Sequence, residues 1–362
     1  MRQTKGLGIR SARAFIDIFG SQDEVFEFDR TPQEILEHPK LMLLRKKLKG
    51  SYRSQQCLAA ALREKEYIQD KGINCIPMGH RDYPNLLLEC VDAPLALMIK
   101  GSLPEHKYWL GIVGSRRATP MGLDFCRTLI RELAPLNPVI VSGLAKGIDL
   151  CAHQTALDLG LTTVACLAHG LNQIYPKEHY ATAREIEKKG ALITEFWSKS
   201  DFHSSNFLQR NRIIAGLSHA TVVIESGQKG GGLITAQFAC GYDREVFAVP
   251  GNPSQINHQG CNNLIKNHQA HMITEVGDLA RVMGWSHQKQ PLSNIDLDAM
   301  QHSILGYVKH HPYAHKDELS RNLQVTAGVI QGAVLNLELL GLMLTQSGCC
   351  VLSNPGLRAL DA

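Results

Sequence analysis

No apolar run in this 362-residue chain approaches the roughly 20 residues that a bilayer-spanning helix needs. Strand-like pieces such as ATVVI are far too short. The opening MRQTKGLGIRSAR lacks the apolar stretch of a secretory leader. The expectation is a cytoplasmic protein without a membrane partner. The ten cysteines (57, 75, 90, 126, 151, 166, 240, 261, 349 and 350) include no pair in C-x-x-C spacing, and several lie in apolar segments. That pattern is read as free thiols, not as a disulfide frame or a zinc site. Charge of one sign is also scarce, since the formal net charge is only +4. An acidic partner is permitted but not demanded. The dinucleotide signature G-x-G-x-x-G and the P-loop G-x-x-x-x-G-K-[ST] are both missing. So are paired carboxylates, a Ser–His–Asp set and H-E-x-x-H. No catalytic residue, metal ligand or cofactor is assigned.

What is present is alternation. From about 108 to 275, β-branched runs (YWLGIVGS, PVIVSG, TTVACLA, ALITEF, ATVVIES, EVFAVPG, HMITE) alternate with helical ones. Near-continuous apolar strands between helices mean a parallel sheet covered on both faces. The predicted fold is α/β, an extended Rossmann-like doubly wound and mainly parallel sheet over 71–284. An N-terminal helical domain (1–70) precedes it. A polar linker (285–295) and a C-terminal winged-helix domain (296–362) follow it.

Ligands of such sheets sit beyond the carboxyl ends of the strands. Collected there are Gly114, Ser115 and Arg116 of GSR, Ser142, Gly143 and Lys146 of SGLAKGID, and Gly230, Gly231 and Gly232 of KGGGLITA. Arg210, Asn211 and Arg212 of RNR fall in the segment after the fourth strand, and Lys229 lies close to the last glycines. Glycine turns leading into helix N-termini, with cations beside them, suit phosphate. Glu195 and Glu225 also end strands at this edge. Their ordinary roles would be to orient an arginine or cap a helix, and His153 reads as a hydrogen-bonded core histidine. In a helix opening near Asn206, about 100° per residue puts Phe207, Arg210, Ile214 and Leu217 on one face, with Arg212 turned outward. A guanidinium amid that apolar face needs a carboxylate such as Glu195, or a phosphate, as partner.

Taken in order, GIVGSRRATPMG, VSGLAKGIDLCAH, GLNQIYPKEH, NFLQRNRIIAGLS, REVFAVPG and GCNNLIKN resemble the DNA-processing protein A (DprA/Smf) family. The resemblance implies a protein of natural transformation that binds and protects incoming single-stranded DNA, with double-stranded DNA a weaker ligand. It implies a homodimer that loads RecA recombinase and has no established catalytic activity. The residues collected above are its implied DNA contacts, with Tyr175 and Phe207 as candidates for base stacking. This chain departs from the family pattern at KGGGLITA, where serines around one glycine are usual, and at Leu208, where proline is usual. Two other readings stand beside it. One is a nucleotide-processing enzyme of the lysine-decarboxylase-like phosphoribohydrolase type, although its P-G-G-x-G-T loop is lacking. The other is a scaffold that does not touch DNA.

The flanks say less. KGLGIRSARAFIDIFGS resembles the second half of a helix–hairpin–helix, as if the first helix were missing at the start. In the C-terminal zone, DELSRNL and TAGVIQGAVLNLELLG read as a helix–turn–helix with Thr326 as N-cap. Residues 296–362 hold four basic and six acidic residues, a net charge of −2. The stretch 326–340 has no lysine or arginine. A duplex reader would neutralise several phosphates. Protein contact or packing is the expected role of this unit.

Overall fold

A computed structural model describes residues 8–19, 55–285, 297–346 and 348–353. Of the linker expected at 285–295, only Trp285 is described, buried in the central core, and the rest of it, with most of the N-terminal domain, lies outside the described residues. The nine cysteines whose side chains are described are free thiols.

One nine-stranded sheet organises the central unit, in the order β1-β2-β6-β5-β4-β3-β7-β8-β9. Its strands are β1 (Asn74–Pro77), β2 (Ala96–Gly101), β3 (Trp109–Gly114), β4 (Val139–Ser142), β5 (Thr163–Cys166), β6 (Ala191–Thr194), β7 (Ala220–Ile224), β8 (Glu245–Ala248) and β9 (His271–Met272). From β6 to β9 every pairing is parallel. β2 runs antiparallel to β6, and β1 antiparallel to β2. The seven strands expected from the alternation are all present. β1 and β2 are additions that the alternation does not reveal, because no long helix separates them.

The chain steps outward from β3 through β4 and β5 to β6, then returns to the other side of β3 for β7, β8 and β9. This reversal is the switch point at which open α/β sheets bind ligands. β3, β4 and β7 are almost wholly buried, as strands covered on both faces must be. One face packs Val113, Val141, Val223 and Val246 against Ile213, Ile214 and Leu217 of the helix Ser204–Leu217 and Ala236 and Ala239 of the helix Gly231–Gly241. The other packs Leu110, Ile112, Ile140 and Phe247 against Leu129 and Ile130 of the helix Pro120–Leu133 and Ile148 and Ala152 of the helix Ile148–Asp158.

Two flanking helices dock on this unit. In Ile9–Phe19, Arg13 donates to the carbonyls of Cys90 and Leu88. In Gln55–Asp70, Glu64 accepts from Ser198 N and Oγ at 2.8 and 2.6 Å. The C-terminal unit has its own core, including Ile304, Leu319, Ile330, Val334 and Leu342. Helices Ala299–His310, Lys316–Asn322 and Ala327–Leu339 pack there beside a three-stranded antiparallel sheet, β10 (Ala314–His315), β12 (Cys349–Leu352) and β11 (Met343–Gln346). Thr326 stands at the N-cap position of the last helix, but its side chain makes no capping hydrogen bond.

Phe247 on β8 is fully buried. Phe247→Ala is expected to cost about 3–5 kcal/mol, the transfer energy of the ring plus the cavity left behind. The midpoint of urea unfolding measures it.

Candidate nucleic-acid interface

Two arginines two residues apart on the Ser204–Leu217 helix lie on opposite sides of it, as the 100° periodicity requires. Both are 4% exposed. Arg210 reaches over the ends of β4 and β5, where one guanidinium nitrogen donates to the carbonyls of Gly143 and, at 2.6 Å, Cys166. Its Nε donates to Asn211 Oδ1 at 3.1 Å. Burial lowers its pKa, opposed by the attraction of Asp149. Asp149 is itself raised by burial, against the pull of Arg210 and of the loop amides.

Arg212 is not turned outward. It donates to the carbonyl of Asp92 and forms an ion pair with Glu195 at 2.6 Å, both side chains almost wholly buried. The outward expectation fails because the segment before β2 covers that side of the helix. Glu195 is thus the partner of Arg212 and not of Arg210. Glu225 accepts from Thr119 N and Oγ1 at the start of the Pro120–Leu133 helix. Both carboxylates have the orienting or capping role, and neither opens onto the edge as an acid or base.

The glycines divide in the same way. A Cβ on Gly143 would run into the guanidinium of Arg210, one on Gly114 into the carbonyl of Ile224, and one on Gly230 into Ser226. Gly147 has φ +76° and abuts the carbonyl of Ser115, which accepts from Ile148 N. Ser142 is buried and donates to the carbonyl of Ile112 at 2.6 Å. Asn211 holds the carbonyl of Gly231 at 3.2 Å. Gly114, Ser142, Gly143, Arg210, Asn211 and Arg212 therefore build the edge from beneath. At the surface, Gly231 is exposed, while Gly232 is buried. The Gly231–Gly241 helix begins with no side-chain cap and no acidic residue in its first turn. Ser115 lies at the surface margin, its Oγ accepting from Arg117 N at 3.1 Å.

The exposed cations of this edge are Arg116, Arg117, Lys146 and Lys229. Lys146 pairs with Glu178 at 2.7 Å across solvent, and the lysine holds that carboxyl below its usual range. Arg116 lies over the ring of Phe207, 5.0 Å from its centre. Phe207 belongs to a cluster with Tyr175 and Phe202, ring centres 5.0–6.0 Å apart, and His169 joins it at the edge of Phe202. Tyr175 is 46% exposed and Phe202 40%, so the cluster is a surface platform. Phe202 carries no sequence signal, because only the fold brings 202 beside 175 and 207. His169 accepts from Tyr175 N at 3.2 Å and fixes the loop.

Beneath the edge, His153 bonds through Nδ1 to Thr163 Oγ1 at 2.7 Å, and Thr163 donates onward to Ile140 O. Its buried Nε2 has no partner. Burial, with Arg210 and His179 nearby, pushes its pKa down to about 3.

Removing one member of the buried pair leaves an uncompensated charge. Arg212→Met is expected to cost about 3–5 kcal/mol in urea unfolding, and the double variant R212M/E195L less than the sum of the single changes. His153 takes up a proton in the unfolded chain below about pH 6.5 but resists it in the fold. Stability then falls as pH falls between 6.5 and 3, by about 1.4 kcal/mol per pH unit from this residue. His153→Asn is expected to flatten the dependence by about 2 kcal/mol between pH 6.5 and 5.

Comparison with known proteins places this geometry. The chain is 33% identical over 319 residues to Protein Smf of Synechocystis, covering 77% of this chain and 80% of that protein. The X-ray structure of DNA processing protein A from Streptococcus pneumoniae superposes with a TM-score of 0.62 at 26% identity, covering 80% of this chain and 96% of that one. A structure of DNA processing protein A from Helicobacter pylori, described for its single-stranded DNA binding mode, gives 0.54 at 27% identity, over 60% and 97% of the two chains. The family model for DNA recombination-mediator protein A matches residues 74–284, more than half of the chain and all nine strands of the central sheet, and the chain belongs to that family, DprA/Smf.

Proposed function

We propose that this protein binds single-stranded DNA along the carboxyl edge of the sheet, in the processing of DNA during natural transformation. The observation that carries the reading is the exposed platform of Tyr175, Phe202 and Phe207, with Arg116 set over one ring and Lys146 on the neighbouring turn. Bases stack on aromatic faces whatever their sequence, and the cations track the backbone. Backbone N–H groups at Gly231 would supplement them at an uncapped helix start.

Of the twelve residues gathered from the sequence, Arg116, Lys146, Ser115 and Gly231 fall to the DNA itself, together with Arg117, Lys229 and the platform. The rest hold those groups in place. The central unit, 71–284, is the DNA-binding domain of this proposal, in a cytoplasmic protein that acts as a homodimer and hands the strand to a RecA-type recombinase. The C-terminal unit is a winged helix used for protein contact. Its acidic balance, and the absence of lysine and arginine from Ala327–Leu339, support that use over duplex reading. No catalytic step is part of this reading. The exits for Glu195 and Glu225 that a phosphoribohydrolase would need are taken up by Arg212 and Thr119.

Fluorescence anisotropy with a labelled oligonucleotide tests the proposal. With about four phosphates met by the four exposed cations, log K against log salt is expected to slope near −3. Arg116→Glu is expected to weaken binding at least tenfold, and Phe202→Ala by about 1–3 kcal/mol, with unchanged urea midpoints. A slope near zero, the scaffold outcome, overturns it. Base release from nucleoside monophosphates overturns it in favour of an enzyme.

A further inference from the structure

Beyond β8, the carboxyl edge carries a groove of about 530 Å³ that the DNA contacts described above leave unused. The helix Gln259–Lys266 lines it. This helix buries Gly260, Cys261 and Leu264. The spacing 259, 263, 266 sets Gln259, Asn263 and Lys266 one turn apart along a single stripe, and all three line the groove. Gln228 joins them from the turn after β7.

The groove is held by bonds between its walls. Gly260 N donates to the carbonyl of Ser226 at 2.7 Å, and a Cβ on Gly260 would strike the carbonyls of Ser226 and Gly227. Asn262 clasps the loop after β8, accepting from Gly251 N at 3.1 Å and donating to Gly251 O at 2.9 Å. The helix is therefore pinned to both loops. One of them runs straight on into Lys229 and Gly231 of the DNA edge.

Its chemistry is that of a base edge. The side chains of Gln228, Gln259 and Asn263 make no hydrogen bond among the described residues. Each offers donors and an acceptor together. A phosphate oxygen only accepts, whereas a base presents donors and acceptors side by side, which one amide meets in two bonds. Lys266 is the one charged group lining the groove, and no carboxylate lines it among the described residues. Ile256, 73% exposed, stands beside Gly227 and offers an apolar surface to a base face. The volume falls within the range of about 300–1,000 Å³ usual for small-molecule pockets.

We propose that this groove captures a nucleobase of the bound single strand, its edge meeting Gln228, Gln259 and Asn263. The inference rests on the reading of the carboxyl edge as the DNA path. Tyr175 follows β5, and the groove follows β8, four strand spacings or about 19 Å away in the order β5-β4-β3-β7-β8. At about 3.4 Å per stacked nucleotide, roughly six nucleotides bridge the platform and the groove. An amide that turns over exchanges donor for acceptor, so the groove takes any base and tells a base from none.

Anisotropy with two labelled oligonucleotides about twice that length tests it, one complete and one abasic at every position. Both carry all their phosphates. In Q259A/N263A, affinity for the complete strand is expected to fall at least about fivefold, the lower end for one bidentate amide–base pair. Affinity for the abasic strand, and the urea midpoint, should not change. Gln228→Ala, on the separate turn, is expected to act in the same sense. Loss on both strands alike, or on neither, overturns the base-capture groove while a salt slope near −3 keeps the DNA path. A slope near zero in the unaltered protein removes the path and the groove together.

Discussion

The buried guanidinium of Arg210 is the interaction on which the rest of this edge depends. Its hydrogen bonds run to the carbonyls at the ends of β4 and β5, and Asp149 at the start of the next helix balances its charge. A cation placed there draws together turns that otherwise present only loose carbonyl groups. It also requires Gly143, since any side chain would displace it. The exposed groups inherit their positions from this buried one: Lys146 lies three residues beyond Gly143, and Phe207 stacks on the same helix one turn before Arg210. The cost of desolvating a guanidinium is tolerable because carbonyls and a carboxylate surround it.

Arg212 performs a parallel task on the far side of the same helix, where it ties Asp92 and Glu195 together. One helix thus carries two internal clamps, one toward β4 and β5 and one toward the segment before β2. The motif that looks most like a DNA contact in the sequence is a piece of framework. In the proposed reading, phosphate contact falls to less conspicuous residues, Arg116, Arg117 and Lys146, which sit on turns and face solvent.

The seven parallel strands were legible because apolar runs of four to six residues alternated with helical periodicity. The sheet edge followed from the rule for open α/β sheets. Legibility stopped where tertiary cover decides. Helical periodicity separated Arg210 from Arg212 correctly, but it could not show that the segment before β2 would bury the second. Phe202 sits in an irregular stretch with no period, and only the turn after β6 brings it against Tyr175. β1 and β2 were hidden because they lack the intervening helix that marks the other strands. Glu195 and Glu225 illustrate the reverse case, in which the ordinary role of a strand-ending carboxylate, pairing with an arginine or holding a helix start, is the one its bonds show.

The two rims of the nine-stranded sheet have a consequence for self-association. β1 is four residues long and ends in Pro77, which has no N–H to donate. β9 is only two residues long, both exposed, and its His271 lies against Glu245 of the neighbouring strand. Neither offers a long, flat row of unpaired backbone groups, the template on which strands of separate chains zip together. Among the described residues of this sheet, then, a second copy finds little purchase for continuing the ladder. For the described residues of the central unit, contact with a second copy would fall to side chains on helical faces and loops. A chain built this way can sit at high local density along a polymer without its sheets fusing into one another.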